Sequence, residues 1–289
     1  PHYSEVASPI ASVGTRDFRV MQLAHYSEFG ANEGRRTSPL FSADYYARSV
    51  RELGVEKKDL MGHFLESGDA AGLCPHPLFD PDYYAEQLSD PDLRGLSRIE
   101  HFFLFGDRAQ EKPHPLFDSA YYAEQLTEPP GIHRTFLGHY LEVGERKRLK
   151  PNPLFDPKHY AEQFDLEGMN LLEHCALSGT ASRIAPSILF DPTWVARQMP
   201  VDSPPGLGPL EYYLREEGAL KEGPHPFFSP QWYVAQYPEV RDSGMEPLAH
   251  FMDQGAALGR DPHPLFSSAW YRDFYGEWVP PGMPSIDHY

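Results

Sequence analysis

The chain is poor in cysteine, short of basic residues and without a long apolar run, and each shortage excludes a class of protein. Two cysteines, Cys74 and Cys175, in 289 residues supply neither a disulfide framework nor a Cys-rich zinc site. They do not fix the compartment. Lys and Arg number 25 against 42 Asp and Glu, a net charge of −17. Nucleic acid is bound largely by Lys and Arg neutralising phosphates, so this field repels it, and anionic membrane surfaces are repelled alike. No stretch approaches the ~18–20 apolar residues of a membrane span. Catalytic signatures are missing too: the sequence has no HExxH, no GxSxG, no phosphate-binding glycine loop and no Rossmann fingerprint. No enzyme activity, cofactor or metal is expected of this chain. Proline, by contrast, is abundant at 30, with 17 Tyr and 18 Phe beside it. Proline content of this order usually signals disorder, but disordered chains lack the apolar groups that offset ordering entropy.

Self-comparison explains the prolines. Pro-Leu-Phe or a close variant places its Phe at Phe41, Phe79, Phe117, Phe155, Phe190, Phe228 and Phe266, at spacings of 38, 38, 38, 35, 38 and 38. A second column follows 22 residues later at His63, His101, His139, Tyr212, His250 and His288, and after 19 residues at His174. The expected units are 39–76, 77–114, 115–152, a shortened 153–187, a divergent 188–225, 226–263 and a truncated 264–289, called units 1 to 7 below. Residues 1–38 hold an N-terminal segment and a partial unit around His25. The chain opens at Pro1 without an initiator Met and closes at Tyr289 inside a unit, so it is expected to be cut from a longer array or protein.

Each unit reads as two short helices. The leading one opens at Asp80-Pro81, Asp156-Pro157, Asp191-Pro192 or Ser229-Pro230, where Asp or Ser caps a free backbone N–H and Pro suits the first helical position. Aromatic pairs follow, as in Tyr83-Tyr84 and Trp232-Tyr233, then Ala-Glu-Gln in three units. The trailing helix carries apolar residues two before, one after and two after the His column, as in Ile99, Phe102 and Phe103. These offsets are i, i+3 and i+4, one helical stripe. A glycine ends it (Gly68, Gly106, Gly144, Gly179, Gly218, Gly255), expected in the left-handed C′ conformation. Pro-His-Pro-Leu-Phe then links to the next unit as a stiff extended segment. Helices this short are marginal alone, so an all-α helical-repeat solenoid of short helix pairs is expected, about 38 residues per repeat.

The His column invites a metal or ligand reading. Repetition favours structure, because an active site is needed once and a packing contact is needed in every unit. The expectation is a hydrogen bond from each imidazole to backbone in the next proline-rich link. His76, His114, His225 and His263 precede Pro-Leu-Phe, where Asn152 and Ser187 stand in other units, which marks a turn hydrogen-bonder. Asp80-Pro81-Asp82 and Asp90-Pro91-Asp92 match the Asp-X-Asp pattern of metal–nucleotide binding, yet one is a helix cap and the other a loop. The column Tyr45, Tyr83, Tyr121, Trp194, Trp232 and Trp270, with His159 in unit 4, combines large rings with polar tips. It is expected to be buried between units. Exposed in a row, Tyr83, Tyr121, Trp194, Trp232 and Trp270 would form a candidate sugar-binding surface.

The unit Phe-Asp-Pro-x-Tyr-Tyr … Leu-Glu-His-Tyr/Phe … Gly … Pro-His-Pro-Leu-Phe, spanning essentially residues 18–289, resembles a tandem repeat of bacterial proteins of cell-surface polysaccharide assembly. There it accompanies glycosyltransferase or rhamnan-synthesis-type domains, and similar repeats occur in some secreted calcium-binding proteins. The resemblance implies no catalytic residue here, because the family's catalysis resides in other domains. Unit 5 departs from the pattern, with Ile188, Val195 and Tyr212 for Pro, Tyr and His. Three functions are expected in order: a scaffold for a protein partner or attached enzyme domain, a glycan-binding module, and a glycosyltransferase fragment.

Overall fold

The computed structural model describes residues 38–289 apart from 56–59, 89–92, 94, 132–134, 164–167, 205, 217–219 and 221. The partial unit around His25, the Asp90-Pro91-Asp92 motif and Gly218 lie outside the described residues. Among those described the fold is all-α, with isolated bridges but no strand.

The leading helices run Ala43–Ser49, Pro81–Glu86, Ser119–Glu124, Pro157–Glu162, Pro192–Ala196, Pro230–Gln236 and Ser268–Tyr275. Ser42, Asp80, Asp118, Asp156, Asp191, Ser229 and Ser267 cap them, each side chain accepting from a first-turn amide. Such a cap is worth ~1 kcal/mol against Ala. In each of these helices except that of unit 5, a tyrosine turns inward (Tyr46, Tyr84, Tyr122, Tyr160, Tyr233, Tyr271) and meets the phenylalanine of Pro-Leu-Phe, as in Phe79–Tyr84 with ring centroids 6.0 Å apart.

The trailing helices begin as α and widen. Leu60–His63, Arg98–His101, Phe136–His139 and Pro247–His250 pass into π-helical turns at Phe64–Gly68, Phe102–Gly106, Tyr140–Gly144 and Phe251–Gly255. The widening has a steric partner. A methyl group on Gly68, Gly106, Gly144 or Gly255 would overlap the hydroxyl of Tyr46, Tyr84, Tyr122 or Tyr233. These glycines are therefore present for close approach, and π turns occur where a helix accommodates such an insertion.

This corrects the expectation of left-handed C′ glycines: those four have ordinary negative φ. The left-handed residue comes four positions later, at Gly72, Gln110, Arg148 and Gly259, with φ of 71°, 60°, 58° and 70°. There Leu73, Glu111, Leu149 and Arg260 donate N–H to the carbonyls of Gly68, Gly106, Gly144 and Gly255 at 2.9–3.0 Å, the Schellman pattern. Unit 4 differs: Leu171–Ser178 stays α and ends at Gly179 with φ +52°. In unit 5 the trailing helix is Pro209–Arg215.

The links bond forward. N–H groups of Ser42, Asp80, Asp118, Asp156, Asp191 and Ser229 donate to the carbonyls of Pro75, Pro113, Pro151, Pro186, Pro224 and Pro262 at 2.8–3.2 Å. The glutamine of Ala-Glu-Gln brackets the same segment: Gln87 Nε2 donates to Lys112 O at 2.8 Å and Oε1 accepts from Lys112 N–H at 3.1 Å. Gln125, Gln163 and Gln198 do likewise. The largest fully buried side chains are all Tyr or Phe, and burying each contributes roughly 1.5–3 kcal/mol. One apolar cluster runs from Leu40 to Ile286, with a second of Phe41, Tyr46, Val50, Leu60 and Phe64 in unit 1.

Candidate interaction surfaces

The His column is consumed locally. Nδ1 of His63, His101, His139, His174, His250 and His288 lies 2.7–3.0 Å from the hydroxyl of Tyr46, Tyr84, Tyr122, Tyr160, Tyr233 and Tyr271. The partner is thus the inward tyrosine of the same unit, not backbone in the next link. The reason is the glycine below it, which lets the phenol cross the trailing helix and end at the ring. Unit 5 lost both partners at once, carrying Val195 and Tyr212. A hydroxyl buried without its imidazole would cost about 1–3 kcal/mol, and removing both avoids that.

The second set of histidines makes turns, as the Asn replacement implied, whereas Ser187 buries its hydroxyl without a partner. Nδ1 of His76, His114, His225 and His263 accepts from the N–H two residues on at 3.1–3.2 Å, and Asn152 Oδ1 does so at 2.9 Å.

Their outer nitrogens reveal contacts between units distant in sequence. Nε2 of His76 meets Glu173 at 3.1 Å, and that of His114 approaches Glu211 at 3.9 Å. Arg215 pairs with Asp80 and stands 3.8 Å from Glu211, its guanidinium 5.3 Å from the centre of the Tyr83 ring. A Cβ on Gly138 would come within 3.1 Å of Pro39. His76 and His114 end units 1 and 2 and meet the trailing helices of units 4 and 5, Asp80 of unit 2 meets that of unit 5, and Pro39 of unit 1 meets that of unit 3.

Burial governs this seam. Desolvation pushes Glu211 up to about 7, aided by Asp80 and opposed by Arg215. It pushes His114 down to about 4. The Cys74 thiol rises to about 12 through burial and the carboxylates of Asp80, Asp82 and Glu211, and Cys175 also reaches about 12 by burial. Both thiols are held protonated, the opposite of an activated nucleophile. Asp80 is spent on its cap and on Arg215, and Asp82 faces Arg98 at 3.4 Å. Among the described residues no group of three or more His, Cys, Asp or Glu could hold a metal ion, and no helix is long and apolar enough to cross a membrane.

The aromatic column is neither a core nor an exposed row. Tyr83, Tyr121, Trp194 and Trp232 are half-buried, while Trp270 is 52% exposed. A cleft of about 330 Å³ also opens between units 2 and 3, lined by Phe103, Arg108, Pro129, Pro130 and Phe136 among others. Neither the cleft nor the seam was foreseen. The sequence held no clean signal for the seam: the residue before the His column is Glu in units 4 and 5, but also Glu100 in unit 2, where it closes a capping box with Ser97.

No protein-family model, curated protein or solved structure matches this chain.

Proposed function

We propose that the chain is a non-catalytic helical-repeat scaffold, a solenoid whose role is to hold a protein partner or an attached enzyme domain. One observation carries this reading: the recurring polar groups are spent on holding the array together. Imidazoles end on tyrosines, cap residues and glutamines on neighbouring backbone, and Glu211 and Arg215 on a unit distant in sequence. An active site would leave some of these groups aimed at open space. Solenoids bind along faces that set equivalent side chains in rows, and the acidic balance of −17 favours a partner with a basic surface. The likeness to repeats of surface-polysaccharide assembly makes a bacterial glycosyltransferase-associated protein the setting. The exposed Trp270 supports glycan binding as the second reading.

The test has two arms. Purified chain is offered nucleotide-sugars and then titrated with surface polysaccharide of its source organism. No turnover and no saturable glycan binding are expected. Turnover abolished by Asp80→Ala would overturn the scaffold, and glycan binding lost on Trp232→Ala with helicity intact would replace it by the second reading.

A further inference from the structure

Units 1 and 2 join their successors through the same acid, but only one of the two joins is complete. Asp69 and Asp107 follow Gly68 and Gly106 and are 7% and 6% exposed. Each caps the trailing helix of the next unit: Asp69 Oδ2 accepts from Arg98 N–H at 3.0 Å, and Asp107 Oδ1 from Phe136 N–H at 2.7 Å. At the first join Arg98 also brings a guanidinium, 3.7 Å from the Asp69 carboxylate and 3.4 Å from Asp82. At the second, Phe136 and Ala120 stand in the places of Arg98 and Asp82. Asp107 is a buried acid without the cation its counterpart has, and a buried carboxylate left uncompensated is costly.

The vacant position is open. Asp107 lines the cleft of about 330 Å³ together with Phe103, Phe136, Pro129 and Pro130, a volume at the lower end of ligand cavities. Among the described residues its Oδ2 accepts no hydrogen bond. Burial pushes the carboxyl up to about 6, opposed by the Phe136 N–H and by the charge of Arg108. Arg108 acts from a distance: it is exposed and forms no ion pair with any described residue. An acid at depth behind apolar walls suits an arginine side chain, whose stem covers apolar surface and whose guanidinium lies well on aromatic faces.

We propose that this cleft receives an arginine side chain from a basic partner protein, its guanidinium on Asp107 and its stem along Phe103 and Phe136. The guest would do for Asp107 what Arg98 does for Asp69 within the array. The net charge of −17 draws such a partner at long range. This inference rests on the reading of the chain as a scaffold for a protein partner and names that partner's chemistry. Arg108 opposes the guest, so its removal strengthens binding. A carboxylate guest would need Arg108 instead.

The test titrates isotope-labelled chain with N-acetyl-arginine amide to about 50 mM, following the amide signals of residues 103–110 and 135–138. N-acetyl-citrulline amide, of the same shape but uncharged, is the control. Saturable shifts in those residues are expected, with the arginine probe bound at least about fivefold more tightly than citrulline. Asp107→Asn, whose amide oxygen can still accept from Phe136 N–H, removes that preference. Phe136→Arg gives the chain a guanidinium of its own and abolishes binding. Arg108→Ala tightens it at least about twofold, and Glu124→Gln, at an exposed acid elsewhere, changes nothing. Far-UV dichroism confirms folding, and Phe136→Arg decides alone if Asp107→Asn does not fold. No saturation, equal binding of citrulline, or binding that survives the folded variants would overturn the proposal. So would an Arg108→Ala variant that loses binding, which would give the cleft to an anion. Because the probe is a single residue, any of these results leaves the scaffold reading standing, and that reading falls only to turnover or glycan binding.

Discussion

Replacing Gly68 by Ala tests the knot of tyrosine, histidine and glycine that recurs along the chain. The added methyl overlaps the Tyr46 hydroxyl, with the ring carbon bearing it 3.1 Å away and Phe64 Cδ2 at 3.2 Å. Overpacking of a tight core costs typically 1–3 kcal/mol. Displacing the phenol also breaks its 2.8 Å bond to His63, worth about 1 kcal/mol. Gly68→Ala is thus expected to cost ~2–4 kcal/mol. Tyr46→Phe alone forfeits the hydrogen bond for ~1 kcal/mol. In the double variant the hydroxyl is gone and the remaining carbons need to yield only a few tenths of an ångström, so its total cost falls well short of the sum, by ~1–2 kcal/mol. Because a chain of this length need not unfold in one step, amide hydrogen exchange resolved to residues 42–73 reads the local opening energy better than a global melt. Strict additivity of the two substitutions, or a harmless Gly68→Ala, would refute the steric account and return the glycine to a helix-ending role.

Three further outcomes follow from single positions. Tyr140 hides its hydroxyl without a partner, where units 1, 2 and 6 have Phe64, Phe102 and Phe251; Tyr140→Phe should stabilise by ~1 kcal/mol in urea unfolding. Gln110 and Arg148 hold the left-handed position that glycine fills in units 1 and 6, so Gln110→Gly or Arg148→Gly should gain up to ~1 kcal/mol, measured the same way. Glu211 is raised from 4.5 to about 7, so the fold binds its proton more tightly than the unfolded chain does, and its contribution is complete below pH 4.5 and lost as pH rises to 7. Comparing Glu211→Gln with the parent at pH 4.5 and 7.5 should show the variant gaining up to ~3 kcal/mol in relative stability. His114, lowered from 6.5 to about 4, slopes the opposite way and stands 3.9 Å from Glu211, so both proteins carry His114→Asn, which keeps the turn as Asn152 does.

Local structure was legible because it is written in adjacent residues. The caps at Asp80 and Ser229, the stripe around His101 and the turn role of His76 follow from spacing and side-chain chemistry. The error at Gly68 came from assigning glycine its commonest helix role, when only the position of Tyr46, 22 residues earlier, reveals that a hydroxyl needs the space. The His–Tyr pairs were missed for the same reason, although Val195 and Tyr212 changing together was a usable clue. Contacts such as Arg215 with Asp80 join residues 135 apart in sequence, which no single unit encodes. Arg215 lies over the Tyr83 ring, so the half-buried state of Tyr83 was not readable from one unit.

Units far apart in sequence meet in space, and the pair His76–Glu173, 97 residues apart and 3.1 Å between atoms, tests this most directly. His76→Asn keeps the turn, since Asn152 makes the same bond, and Glu173→Ala removes the carboxylate. Each alone is expected to lower stability, and the double variant to cost at least ~1 kcal/mol less than their sum. Additive losses would mean that these units do not touch in solution, and the solenoid would fall with them.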